Sequence, residues 1–91
     1  MKEKITVWLG SSKESNSPAG IPAFYLVRPE KPSKTLLVSL NLPLGRVNQE
    51  LDIFNRFVSL WEEYAQESGY EFDYDTSLYE KTEDGWRVIE E

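Results

Sequence analysis

The 91-residue chain contains no cysteine and no histidine. Without thiols it has no disulfide framework, no thiolate nucleophile and no sulfur-ligated zinc site. Without imidazole it has no Ser-His-Asp arrangement and no haem ligation through histidine. Positive charge is also scarce, with ten Lys and Arg against sixteen Asp and Glu and a formal charge of −6. That balance disfavours direct contact with DNA, RNA or an anionic membrane surface, all of which reward cationic surface. No stretch approaches the roughly 20 apolar residues needed to span a bilayer. The longest uncharged apolar segment, residues 35–44, is strand-sized and contains Pro43. Met1-Lys2-Glu3-Lys4 is read as a true start with no secretory segment behind it. No internal repeat is visible. These readings lead us to expect a cytoplasmic protein.

What is present is a globular composition, 40% apolar, 13% aromatic and 29% charged, in a chain of one-domain length. Residues 4–9 alternate Ile5, Val7 and Leu9 against Thr6 and Trp8, the pattern of a half-buried strand. Residues 10–22 collect glycine, proline and serine and are expected to be a mobile loop. Residues 23–28 predict a second strand, with Phe24 and Leu26 opposing Tyr25 and Val27. The almost wholly apolar 35–40 predicts a third, at the centre of the sheet.

The strongest periodic signal is helical. Val47, Leu51, Phe54, Val58, Trp61 and Ala65 recur at +4, +3, +4, +3, +4, and Ile53, Phe57, Leu60 and Tyr64 form a second line beside them. The opposite arc, with Asn48, Asp52, Asn55, Glu62 and Glu63, is assigned to solvent. A helix over 47–68, about 33 Å long, ends at Gly69. Its apolar arc is wider than one sheet face needs, so a loop or a second copy in a homodimer is expected to cover the excess. Beyond Gly69 the period becomes two, Tyr70, Phe72 and Tyr74 alternating with Glu71, Asp73 and Asp75. Asp84-Gly85 then marks a hairpin. The fold class that results is α+β. One antiparallel sheet of four to five strands, in the order β-β-β-α-β-β, is covered on one face by a single long helix.

Several chemical motifs are approached and missed. Asp73, Asp75 and Ser77 echo the first positions of a calcium loop, but Leu78 stands where the sixth position needs glycine and Asp84 where the twelfth needs glutamate. Residues 10–18 lack the glycine spacing and the Lys-Ser or Lys-Thr pair of a phosphate loop. A lysine in a solvated loop is also not desolvated enough to activate a serine. We therefore expect no enzyme activity, no cofactor and no metal site.

Charge is distributed unevenly along the chain. Residues 1–47 hold seven bases and three acids, while residues 48–91 hold three bases and thirteen acids. Glu71, Asp73 and Asp75 would stand about 6.8 Å apart on one strand face. With Glu62, Glu63 and Glu67 from the helix they are read as an acidic surface for a basic partner. Duplex DNA carries one charge per about 1.7 Å, so mimicry of nucleic acid would be partial and would need aromatic support. Trp8, Tyr25 and Trp86, if displayed together, form that aromatic patch. The expected function is that of a non-enzymatic inhibitor or regulator, of the kind phages and mobile elements use as antagonists. It would dock its acidic surface on a larger basic protein, one that binds nucleic acid being a candidate. The competing expectation is a structural subunit that homo-oligomerises through the wide apolar helix face or a sheet edge.

Overall fold

In a computed structural model the chain is described over residues 4–14, 17–30 and 33–89. Among the described residues, six strands and one α-helix follow in the order β1 (Thr6–Glu14), β2 (Ser17–Val27), β3 (Thr35–Ser39), α1 (Leu51–Ser68), β4 (Glu71–Tyr74), β5 (Tyr79–Thr82) and β6 (Gly85–Val88). The α+β class is as expected. The sheet, however, is mixed rather than antiparallel. Its order is β3-β2-β1-β4, and β4 runs parallel to β1. β3 runs in the direction of β1, and α1, about 27 Å long, carries the chain back across the sheet before β4. A crossover of this kind joins parallel strands. β5 and β6 form a separate antiparallel hairpin.

The loop expected over 10–22 is not there. Its described residues belong to the two central strands, nine and eleven residues long, with Gly10 opposite Ala23, Ser11 opposite Pro22 and Ser12 opposite Ile21. Remote partners compensate the residues that read as breakers. The Pro22 carbonyl accepts the Leu40 N–H at 2.9 Å. A register shift between Ser12 and Glu14 absorbs the approach to Gly20, whose φ is +88°. Residues 15 and 16 lie outside the described residues.

β3 is an edge strand, not the central one. Leu36 is 51% exposed, whereas Leu37, Val38, Leu40 and Leu42 pack against the core. The apolar run serves one face of the sheet and the link that follows, not a strand buried on both sides.

The helical pattern begins before the α-helix. A 3-10 turn, Leu44–Gln49, buries Leu44 and Val47, and α1 starts only at Leu51 because Glu50 leaves helical geometry (φ −129°, ψ 45°). The other end is as expected. Gly69 is left-handed (φ 73°), and the Tyr70 N–H returns to the Ala65 carbonyl at 2.8 Å. Phe54, Val58 and Ala65 are buried against Val7, Leu9 and Phe24.

The main apolar stripe of α1 is buried as expected, but the two flanks of the helical segment are the reverse of what hydrophobicity assigns. The Asn48 side chain donates to the Val88 carbonyl at 2.8 Å and accepts the Val88 N–H at 2.9 Å. Asn55 does the same with Trp86, at 3.0 and 2.7 Å. Both asparagines, expected in water, hold the backbone edge of β6. Meanwhile Ile53, Leu60 and Tyr64, expected to need cover, are 51%, 61% and 41% exposed.

Gly85 fits this clamp closely. Its φ is +123°, and a Cβ there would overlap the Asn55 amide. Asn55→Ala should therefore lower unfolding free energy by about 1–3 kcal/mol, and Gly85→Ala by a similar amount. Urea denaturation midpoints unchanged in both variants would contradict the clamp.

Candidate functional site

The side of the sheet away from α1 is partly open: Leu36, Glu71 and Asp73 are exposed and Trp8 and Tyr25 half-buried, while Gly10, Ala23 and Ile21 are buried. Alternation turns Val7 and Leu9 inward and Thr6, Trp8 and Gly10 outward. The register sets Trp8 beside Tyr25 on β2 and beside Asp73 on β4, and sets Leu36 beside Tyr25. One row therefore crosses the open face as Leu36, Tyr25, Trp8, Asp73. Glu71 lies one step along, opposite Thr6.

The aromatic pair is ordered by its surroundings. The rings of Trp8 and Tyr25 lie 5.9 Å apart at 50°, and the Tyr25 hydroxyl donates to the Ser11 carbonyl at 3.1 Å. The six-membered ring of Trp8 fills the space a Cβ would take at Gly10, so the indole lies along its own strand. The Lys34 ammonium sits 3.3 Å from the centre of the Trp8 ring, a cation–π contact on an exposed face. At the other end of the row, Glu71 meets Lys4 at 3.4 Å, and the Asp73 carboxylate accepts the Tyr74 N–H at 2.8 Å.

Of the nine residues singled out by sequence, Trp8, Tyr25, Glu71 and Asp73 are brought together. Trp86 is not. It is 5% exposed on the inner side of the molecule, packed on Tyr74 and Phe72 with ring separations of 4.6 and 5.8 Å. The expected three-residue patch fails because the hairpin folds inward over β4. Glu62 is also withdrawn from the acidic surface, since it accepts the Trp86 indole N–H at 2.9 Å. Asp75 turns to Ser77, accepting its backbone N–H at 2.9 Å and its hydroxyl at 2.5 Å. Glu63 and Glu67 are exposed on α1, across the sheet from Glu71 and Asp73. The six carboxylates do not share one face.

Sequence reading missed Lys34, Leu36 and Gly10 at this site. The signal for Gly10 was present, because Trp8 and Gly10 stand two apart and so on one side of a strand. Lys34 and Leu36 depend on the pairing register, which no local pattern specifies. Among the described residues no acidic cluster has metal-binding geometry, and no helix is long and apolar enough to cross a membrane. Comparison with protein-family models, curated proteins and solved structures finds no match to this chain.

Below the site Tyr79 is fully buried, stacked on Phe54 at 5.7 Å, and donates to the Gly10 carbonyl at 2.5 Å. Burial pushes its phenol well above the ordinary range, with Asp75 and then Tyr25 adding to the effect. A raised folded-state value means its contribution to stability is complete below the free phenol's value of about 10 and is lost as pH climbs above it. Tyr79→Phe should cost about 1–2 kcal/mol at neutral pH and flatten the loss of stability above about pH 10. Unfolding curves with equal alkaline slopes for parent and variant would argue against this.

Proposed function

We propose that the protein is a non-enzymatic binding module that docks the open face of its sheet on a cationic surface of a larger protein, as an inhibitor or regulator. The observation that carries this reading is the row in which Trp8 stands between Tyr25 and Asp73, with Glu71 one step along. Interfaces take most of their affinity from a few aromatic anchors surrounded by polar contacts. Carboxylates beside such an anchor steer a basic partner and fix its register. The Trp8 ring holds the Lys34 ammonium, so a partner's lysine or arginine would take the place of an intramolecular cation there. The whole-molecule charge of −6 adds attraction at long range.

A second reading is assembly. Leu36 on the edge strand β3 is more than half exposed, which suits self-association through that edge.

The two readings respond differently to salt. Capture of a basic partner from cell extract, quantified by mass spectrometry, should fall steeply between about 50 and 500 mM salt as exposed charges are screened. At low salt, Trp8→Ala and the double variant Glu71→Gln/Asp73→Asn should each reduce it about tenfold, and the carboxylate variant should do so with melting temperature little changed, whereas Trp8→Ala also loses the packing on Gly10 and Tyr25. Equal capture by parent and variants would sink the docking reading. A dimer in sedimentation equilibrium that persists or tightens with salt would favour assembly.

A further inference from the structure

Four strands about 4.8 Å apart make a face wide enough for two helices of about 10 Å side by side. This sheet carries one α-helix, and the short 3-10 turn Leu44–Gln49 packs on part of β2. α1 packs on β1, β4 and β6. Toward β2 it reaches across with Phe57 and Trp61, whose rings lie 5.1 and 5.6 Å from Phe24. Over the rest of β2 and β3 the inner face presents Leu26, Leu37 and Val38, packed against the core from below and only partly covered. The flank of α1 beside this space is the line of Ile53, Phe57, Leu60 and Tyr64.

We propose that this flank, together with the inner side of β2 and β3, is a docking site for an amphipathic helix of another protein, with basic residues along its polar edge. The +4, +3, +4 spacing is the ridge that a second helix packs against, and helix-in-groove recognition uses the same repeat on the ligand. Charge selects the chemistry of that ligand. Above the apolar line stand Asp52, Glu63 and Glu67, all exposed, with Arg56 as the single base among them.

A second copy of the chain fits poorly. Its α1 would arrive with its own sheet beneath it, in the volume that β2 and β3 occupy. Joining two copies edge to edge through β3 does not cover the flank either. Each helix would lie about 12 Å from the join, leaving the two about 24 Å apart, against the 8–10 Å of packed helices. The residues involved are distinct from those of the open sheet face, so either proposal can fail without the other.

The test uses the full chain and three synthetic 18-residue peptides. One is a Leu/Lys sequence with leucines at helical spacing, the second its Leu/Glu counterpart, and the third a Leu/Lys isomer with strict alternation. The helical Leu/Lys peptide should bind, with amide shift changes concentrated on residues 53–64 and on Leu26, Leu37 and Val38, and the other two should bind at least about tenfold more weakly. Ile53→Ser/Leu60→Ser changes exposed side chains, so thermal melting should hold while affinity falls about tenfold or more. Glu63→Lys/Glu67→Lys should reverse the preference between the Lys and Glu helices. Three results would each overturn the proposal. They are shifts centred on Trp8 and Tyr25, affinity indifferent to the serine pair, and a parent protein whose own dimer occupies the flank and is broken by that pair.

Discussion

Three polar side chains seven residues apart, Asn48, Asn55 and Glu62, determine how the layers of this molecule meet. A strand at the margin of a sheet leaves N–H and C=O groups that require partners. β6 has β5 on one side, and on the other it has two side-chain amides, each supplying one donor and one acceptor to a single residue. An amide side chain has the hydrogen-bonding capacity of a peptide group, so a line running from the 3-10 turn into α1 takes the place of a third strand. Glu62 continues that line by fixing the Trp86 indole. The hairpin therefore closes one flank of α1, and because its anchors are polar it leaves the apolar flank bare.

This explains which parts of the fold were legible. The helix, its left-handed end at Gly69, the Asp84-Gly85 turn and the inward side of β4 are local signals, carried by spacing and turn chemistry within a few residues. The rotation of α1 about its axis is not local. Hydrophobicity sends Asn48 and Asn55 to water and Ile53 and Leu60 to the core, because nothing near position 55 shows that the backbone of Trp86 will arrive there. The same holds for Gly10 and Pro22, which meet the ring of Trp8 and the N–H of Leu40. At the site, Trp8 and Tyr25 were legible as the residues opposite the aliphatic sides of their strands. Trp86 was not, because its placement follows the direction in which the hairpin folds.

Acidity acts on the molecule as a whole more than on any one face. Glu71 and Asp73 lie on one side of the sheet and Glu63 and Glu67 on the other, while Glu62 and Asp75 are engaged within the fold. Carboxylates divided in this way set the sign of the long-range field without building a row of phosphate-like density. In the proposed docking modes, discrimination would then fall to the apolar and aromatic side chains beside them. Both surfaces combine the two elements, with Trp8 and Tyr25 next to Glu71 and Asp73, and with Ile53, Leu60 and Tyr64 next to Glu63 and Glu67.

The open face is also held from within. Gly10 carries the Trp8 ring on its outer side, and its carbonyl accepts the hydroxyl of buried Tyr79 from the hairpin. One residue before it, the Leu9 carbonyl takes the Asp75 N–H, tying the end of β4 to the same point. Two layers thus grip a single stretch of β1 at the position where the indole lies. Ordering side chains at an interface costs about 0.5–1.5 kcal/mol for each one immobilised, and a ring already fixed between Gly10, Tyr25 and Lys34 has little of that cost left to meet. A small domain with one helix and one open sheet face can in this way present an aromatic anchor in a set orientation, where the same residue on a loose loop would have to be ordered by its partner.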